Sequence, residues 1–138
     1  DEEITKKTMM SVQKFIKKYG LEKFREIESE VVETISDFDD CIFDTGTNIV
    51  LRNENIINLK KNALIVLLMA DIKTITNRLK KESRQSSAKI NQIAMLKFNL
   101  EEHEQRFKKA ADYSIDTSGL SSEEVCNLIT HYIQMELQ

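Results

Sequence analysis

Seven consecutive apolar residues, Ala63-Leu64-Ile65-Val66-Leu67-Leu68-Met69, leave a chain of this kind few choices. The run carries no charge and no helical period, and it is far too short to span a bilayer, which takes about 20 residues. A strand of a parallel sheet, covered on both faces, has this pattern. Two further segments suit the same sheet. Cys41–Thr45 runs apolar and β-prone into Asp44-Thr45 and then Gly46, and Asp112–Asp116 is a short strand near the end. The carboxyl end of the first segment, with Gly46 and the backbone amides after it, is where open parallel sheets hold ligands.

Between these strands the apolar spacing is helical. Val12, Phe15, Ile16 and Tyr19 predict a helix over Ile4–Tyr19 that stops at Gly20. Leu21, Phe24, Ile27, Val31 and Ile35 predict a second over Leu21–Ile35, with Arg25 and Glu28 on one face. Asn53 is placed to cap a short helix holding Ile56, Ile57 and Leu59. Asp71 opens a helix with Ile72, Ile75 and Leu79 inward and Arg78 beside them. Ile90–Lys109 continues on the seam Ile93, Leu96, Leu100, His103, Phe107. Ser121 and Glu124 form a capping box for a last helix. Lys80–Lys89 is polar and without period, a lid-like loop over residues 80–90. Strands alternating with helices indicate an α/β layered fold.

Composition narrows the function. The 138 residues suit a single domain, 1–138. With 20 basic against 23 acidic residues, nothing points to nucleic acid or an anionic membrane. Cys41 and Cys126 both fall in apolar patterns, as reduced buried thiols do, and with His103 and His131 they do not have metal-site spacing. No signal peptide is visible, so the expected location is the cytoplasm, with a plastid or other organelle the alternative. The chain opens on Asp1 rather than methionine, so its natural amino terminus is expected upstream.

Several stretches together carry a family likeness: MSVQKFIKKYG followed by LEKFREIESEVV, then DTGTNIVL, NRLKKESR, and RFKKAADYSIDTSGLSSEEV. Their order and spacing resemble a shikimate kinase throughout. The resemblance implies a P-loop nucleoside-monophosphate-kinase-like α/β sandwich of three layers around a parallel sheet. It implies a reaction moving the ATP γ-phosphoryl group to the 3-hydroxyl of shikimate, with Mg²⁺. The family's opening strand, Walker A loop and second strand have no counterpart here. No G-x-x-x-x-G-K-[ST] occurs, and three glycines could not supply it. ATP and Mg²⁺ are therefore not expected to bind well to this chain alone, and a complementing N-terminal segment or partner chain is expected.

Residue by residue, the resemblance assigns Asp1 to the substrate hydroxyls and Arg25 to the substrate carboxylate. The alternative for Arg25 and Glu28 is a solvated ion pair. Gly46 matches the first glycine of the family's glycine loop, while Thr47 and Asn48 replace the next two; the alternative for Gly46 is a plain turn. Arg84 is the candidate for the lid arginine that reaches the transferred phosphate, against a merely solvated basic loop. Arg78, with Asp116 and Thr117, matches the adenine side. His103 stands four residues before Phe107, where the family carries a second carboxylate-binding arginine. A neutral imidazole cannot replace a permanently charged fork, and the alternative for His103 is a hydrogen-bonded core residue. Two functions remain: a shikimate kinase acting on a small hydroxy-carboxylate, or a catalytically inactive, kinase-derived binding or regulatory module.

Overall fold

A computed structural model of the chain describes residues 1–82 and 88–138, with side-chain surroundings for residues 1–81 and 94–138. It is an α/β protein with a small parallel sheet and seven α-helices among the described residues. The chain divides into two compact units, Asp1–Leu64 and Ile65–Gln138.

The first unit is helical. Helices α1 (Glu2–Thr8) and α2 (Val12–Tyr19) replace the single helix expected over Ile4–Tyr19. Met9 adopts a left-handed conformation, φ 57°, which ends α1. The Ser11 hydroxyl then accepts the Lys14 N–H at 3.4 Å and starts α2. Gly20, at φ 88° and ψ 165°, stops α2 as expected, but as an extended mirror-region residue rather than a left-handed helical cap. Helix α3 (Leu21–Ile35) has the expected bounds. Its Phe24, Val31 and Ile35 pack with Ile4 and Phe15 into one core, and Met10, Val12, Ile16, Ile27 and Phe43 border it. Each fully buried side chain of this kind contributes about 1.5–3 kcal/mol.

The segment Cys41–Thr45 is not a strand. A strand requires a neighbour for its amides and carbonyls, and among the described residues no ladder reaches this segment. Phe43 turns to the core while Ile42 is 96% exposed. Cys41 is exposed too, contrary to the buried thiol expected, and its Sγ donates to the Asp39 carbonyl at 3.1 Å. A 3-10 turn, Thr47–Leu51, follows Gly46 and leads into α4 (Asn53–Lys60). Asn53 does not cap α4: Arg52 stands at the cap position, without a side-chain cap bond, and Asn53 is already helical.

The second unit holds the sheet. Strand β1 (Val66–Met69) lies parallel to β2 (Tyr113–Asp116), with Val66 opposite Tyr113 and Met69 opposite Asp116. None of the four β1 residues is fully buried and Leu68 is 52% exposed, so the strand is not covered on both faces as its composition predicts. Two strands make a sheet too narrow for helices to close over both sides. Helix α5 (Ile72–Glu82) extends through Lys80, and α6 (Ala88–Ala110) begins before Lys89, so both ends of the expected lid-like loop are helical; its middle lies outside the described residues. On α6, Leu96, Leu100 and His103 are half-buried and Phe107 is buried, as the seam predicts for them, while the side chain of Ile93 lies outside the described residues. The box on α7 (Ser122–Glu136) is complete: Ser121 N–H donates to Glu124 Oε2 at 2.7 Å, and Glu124 N–H to Ser121 Oγ at 3.1 Å. Of the apolar residues expected inward on α7, Val125, Ile129 and Tyr132 are half-buried, whereas Leu128 and Ile133 are exposed. Cys126 is exposed rather than buried.

Candidate functional site

Arg25 and Glu28 lie one turn apart on α3, and Phe24 and Val31, buried on either side in sequence, turn that stretch of the helix towards the core. Arg25 Nη1 donates to Glu28 Oε1 at 3.1 Å, and the two side chains are only 12% and 9% exposed. This is not a solvated surface pair. The remaining guanidinium donors have no partner among the described residues, yet they are not sealed from solvent. Arg25 is therefore held by one arm and open at the other. Such a fork takes a carboxylate in two parallel hydrogen bonds.

Gly46 lies beside this pair. A Cβ added at Gly46 would stand 3.9 Å from Glu28 Oε2, an ordinary contact distance. Its backbone, φ −65° and ψ 151°, is one that any residue adopts. Thr47 is exposed and Asn48 half-buried at the head of the 3-10 turn. Asp1 is exposed at the start of α1, and its carbonyl accepts the Thr5 N–H at 2.9 Å. Among the described residues no hydrogen bond or ion pair joins the Asp1 side chain to Arg25.

In the second unit Arg78 and Thr117 come together, 39 residues apart in sequence, through two hydrogen bonds. Asp116, the last residue of β2, accepts the Ser118 N–H at 2.9 Å. That bond, with the Ser118 hydroxyl, holds the Asp116 carboxyl below the usual carboxylate range. His103 is half-buried on α6 and has no hydrogen-bond partner among the described residues, while His131 is exposed. Arg84 lies outside the described residues.

Val32, Ser36, Ala110 and Asn55 are buried without a signal in the apolar spacing, and Asn55 is the deepest of them. Asn55, on α4, is completely enclosed. Its only signal is position: it shares a helix face with buried Leu59, four residues on. Arg52 also had no assigned part, and it reaches Glu22 of α3 at 2.6 Å.

A family model described as Shikimate kinase matches residues 1–134. The chain belongs to the shikimate kinase family. It is 35% identical over 130 residues to the Shikimate kinase of Thermodesulfovibrio yellowstonii, covering 94% of this chain and 75% of that protein. It is 31% identical over 137 residues to the Shikimate kinase of Caldanaerobacter subterraneus, covering 99% of this chain and 80% of that one. The fold agrees with this membership. The crystal structure of shikimate kinase from Bacteroides thetaiotaomicron superposes with a TM-score of 0.81 at 14% identity, covering 100% of this chain and 81% of that one. Shikimate kinase from Acinetobacter baumannii, solved in complex with shikimate, gives 0.78 at 21% identity, covering 99% and 75%.

Shikimate kinases use ATP and Mg²⁺. The residues present here do not fit the triphosphate. The sequence holds no G-x-x-x-x-G-K-[ST] loop whose backbone amides, lysine and hydroxyl would cradle the phosphates. Among the described residues no helix is long and apolar enough to cross a membrane.

Proposed function

We propose that this chain carries the substrate-binding part of a shikimate kinase and holds shikimate by its carboxylate through Arg25. The observation that supports this is the enclosed Arg25–Glu28 pair, with one arm of the guanidinium occupied and the rest open. Glu28 fixes the fork's orientation before the ligand arrives, so little side-chain freedom remains to be lost on binding. Gly46, beside Glu28, leaves the approach to the backbone free of side-chain bulk. Thr47 and Asn48 bring a hydroxyl and an amide suited to ring hydroxyls. Asp1 takes part at the hydroxyls and His103 at the carboxylate by their match to the family pattern. By their match to the family pattern, Arg78, Asp116 and Thr117 would face the adenine and Arg84 the transferred phosphate once a phosphate-cradling segment is supplied.

A second reading is a kinase-derived binding module that has lost turnover. It is favoured by Thr47 and Asn48 standing where the family carries glycines, and by His103 in place of an arginine.

Calorimetry of the chain with shikimate tests the first reading. Shikimate should bind to the wild type, and Arg25→Ala should remove most of the affinity. Shikimate methyl ester, which lacks the carboxylate charge, should bind the wild type as weakly as shikimate binds Arg25→Ala. Equal binding of acid and ester would refute the assignment of Arg25. Phosphorylation of bound shikimate from Mg-ATP once a Walker A-bearing segment is supplied would favour the first reading, and binding without phosphorylation in that preparation the second.

A further inference from the structure

Asn55 is 1% exposed, deeper than any residue of the apolar core, and it is polar. Burying an amide is unfavourable unless its donors and acceptor are paired. Asn55 Nδ2 donates to the Ile49 carbonyl at 3.0 Å. Its Oδ1 is sealed from solvent and has no partner among the described residues. The Ile49 carbonyl settles which way the amide faces, because a carbonyl accepts and cannot donate. Turning the amide over would set two acceptors against each other. The position thus tolerates one unpaired acceptor to make one bond, on a helix face where Leu59 shows that an apolar residue packs well.

That bond fastens a weak element. The turn Thr47–Leu51 is 3-10 helical, a form with poor hydrogen-bond geometry that seldom runs long. The Ile49 N–H reaches the Gly46 carbonyl only at 3.4 Å. Asn55 ties the middle of this turn to α4. Arg52, just past its end, ties the chain to α3 through Glu22. Helix α3 also carries Arg25 and Glu28.

We propose that Asn55 is a positioning residue: its bond to Ile49 holds the Thr47–Leu51 turn on α4 and so sets where Gly46, Thr47 and Asn48 meet a ligand held by Arg25. The inference rests on the reading of Arg25 given under the proposed function.

The test compares Asn55→Ala with Leu59→Ala, which truncates the apolar neighbour on the same face and controls for destabilisation alone. Both are measured where circular dichroism shows them folded. Asn55→Ala should speed amide hydrogen exchange in the turn and weaken shikimate binding, each about five- to tenfold, the worth of one hydrogen bond. Leu59→Ala should lower the melting temperature but leave turn exchange and affinity near wild type. If the two variants behave alike in exchange and affinity, Asn55 is only a core residue and the proposal fails. It fails too if turn exchange rises while affinity holds. Should Asn55→Ala not fold, the wild type decides: the Asn55 Nδ2 protons must exchange as slowly as helix amides, and fast exchange overturns the bond. If the wild type does not bind shikimate, the reading of Arg25 fails, and turn exchange alone decides whether Asn55 holds the turn.

Discussion

Arg78 grips Thr117 with both arms of its guanidinium, Nη1 to the side-chain oxygen at 3.0 Å and Nη2 to the carbonyl at 2.9 Å. Thr117 is itself tied to the end of β1: its N–H and its hydroxyl donate to the Met69 carbonyl at 2.7 and 2.8 Å. One threonine thus pins α5 to the carboxyl ends of both strands. Thr117→Val keeps the shape and removes the hydroxyl, so it should cost about 1–3 kcal/mol in chemical denaturation, while Thr117→Ser stays near wild type. Equal stability of all three would show the hydroxyl bonds to be idle.

The Arg25–Glu28 pair allows fold and function to be separated. Removing one member leaves an enclosed charge alone, so Glu28→Ala should destabilise the chain by about 3 kcal/mol. Replacing both, Arg25→Met with Glu28→Leu, puts apolar volume in their place and should recover most of that loss. The same double variant should not bind shikimate. Retained binding would move the carboxylate contact elsewhere.

The resemblance to shikimate kinases led us to propose that His103 takes the place of a carboxylate-binding arginine. Restoring a charge-assisted, two-pronged contact is worth about 1.5–3 kcal/mol, roughly ten- to over a hundredfold in affinity. His103→Arg should therefore tighten shikimate binding by that order in calorimetry. An unchanged dissociation constant would make His103 a residue of the α6 seam and nothing more.

Asp71 supplies a pH dependence. Its carboxylate accepts the Thr74 N–H at 2.7 Å, and this bond, ahead of those from the Thr74 and Ser118 hydroxyls, holds its titration below the usual carboxylate value. A carboxyl depressed in the folded state stabilises above its unfolded value, about 3.9, and that contribution is lost as pH falls through the folded value. Asp71→Ala should therefore melt lower than wild type at neutral pH. The two melting curves should converge as the pH is taken well below 4, and a gap that persists there would rule out the carboxylate as its source.

Local signals in the sequence carried through to structure. The box at Ser121 and Glu124 needs only residues three apart, and α3 runs from Gly20 to the end of its own apolar stripe. The shikimate kinase family, likewise, was legible in stretches spread along the whole chain. What failed to carry depended on partners distant in sequence. Cys41–Thr45 has the residues of a strand, but its pairing lies with whatever stands beside it. Leu68 belongs to an apolar run, but its burial depends on how wide the sheet is. The break at Met9 was half visible, because Ser11 could have been read as the cap of α2, whereas methionine gives no sign of a left-handed turn. At the site, the neighbourhood of Gly46 and Glu28 and the enclosure of Asn55 arise from packing of α3, α4 and the turn between them. No spacing along the chain announces either.

The two thiols, misjudged as buried, are exposed, and each unit carries one: Cys41 in the first and Cys126 in the second. The chain has no others. It therefore comes with its own pair of attachment points for maleimide dyes. A donor and an acceptor placed there form a molecular ruler, and energy transfer between them would follow the spacing of the two units as shikimate is titrated in.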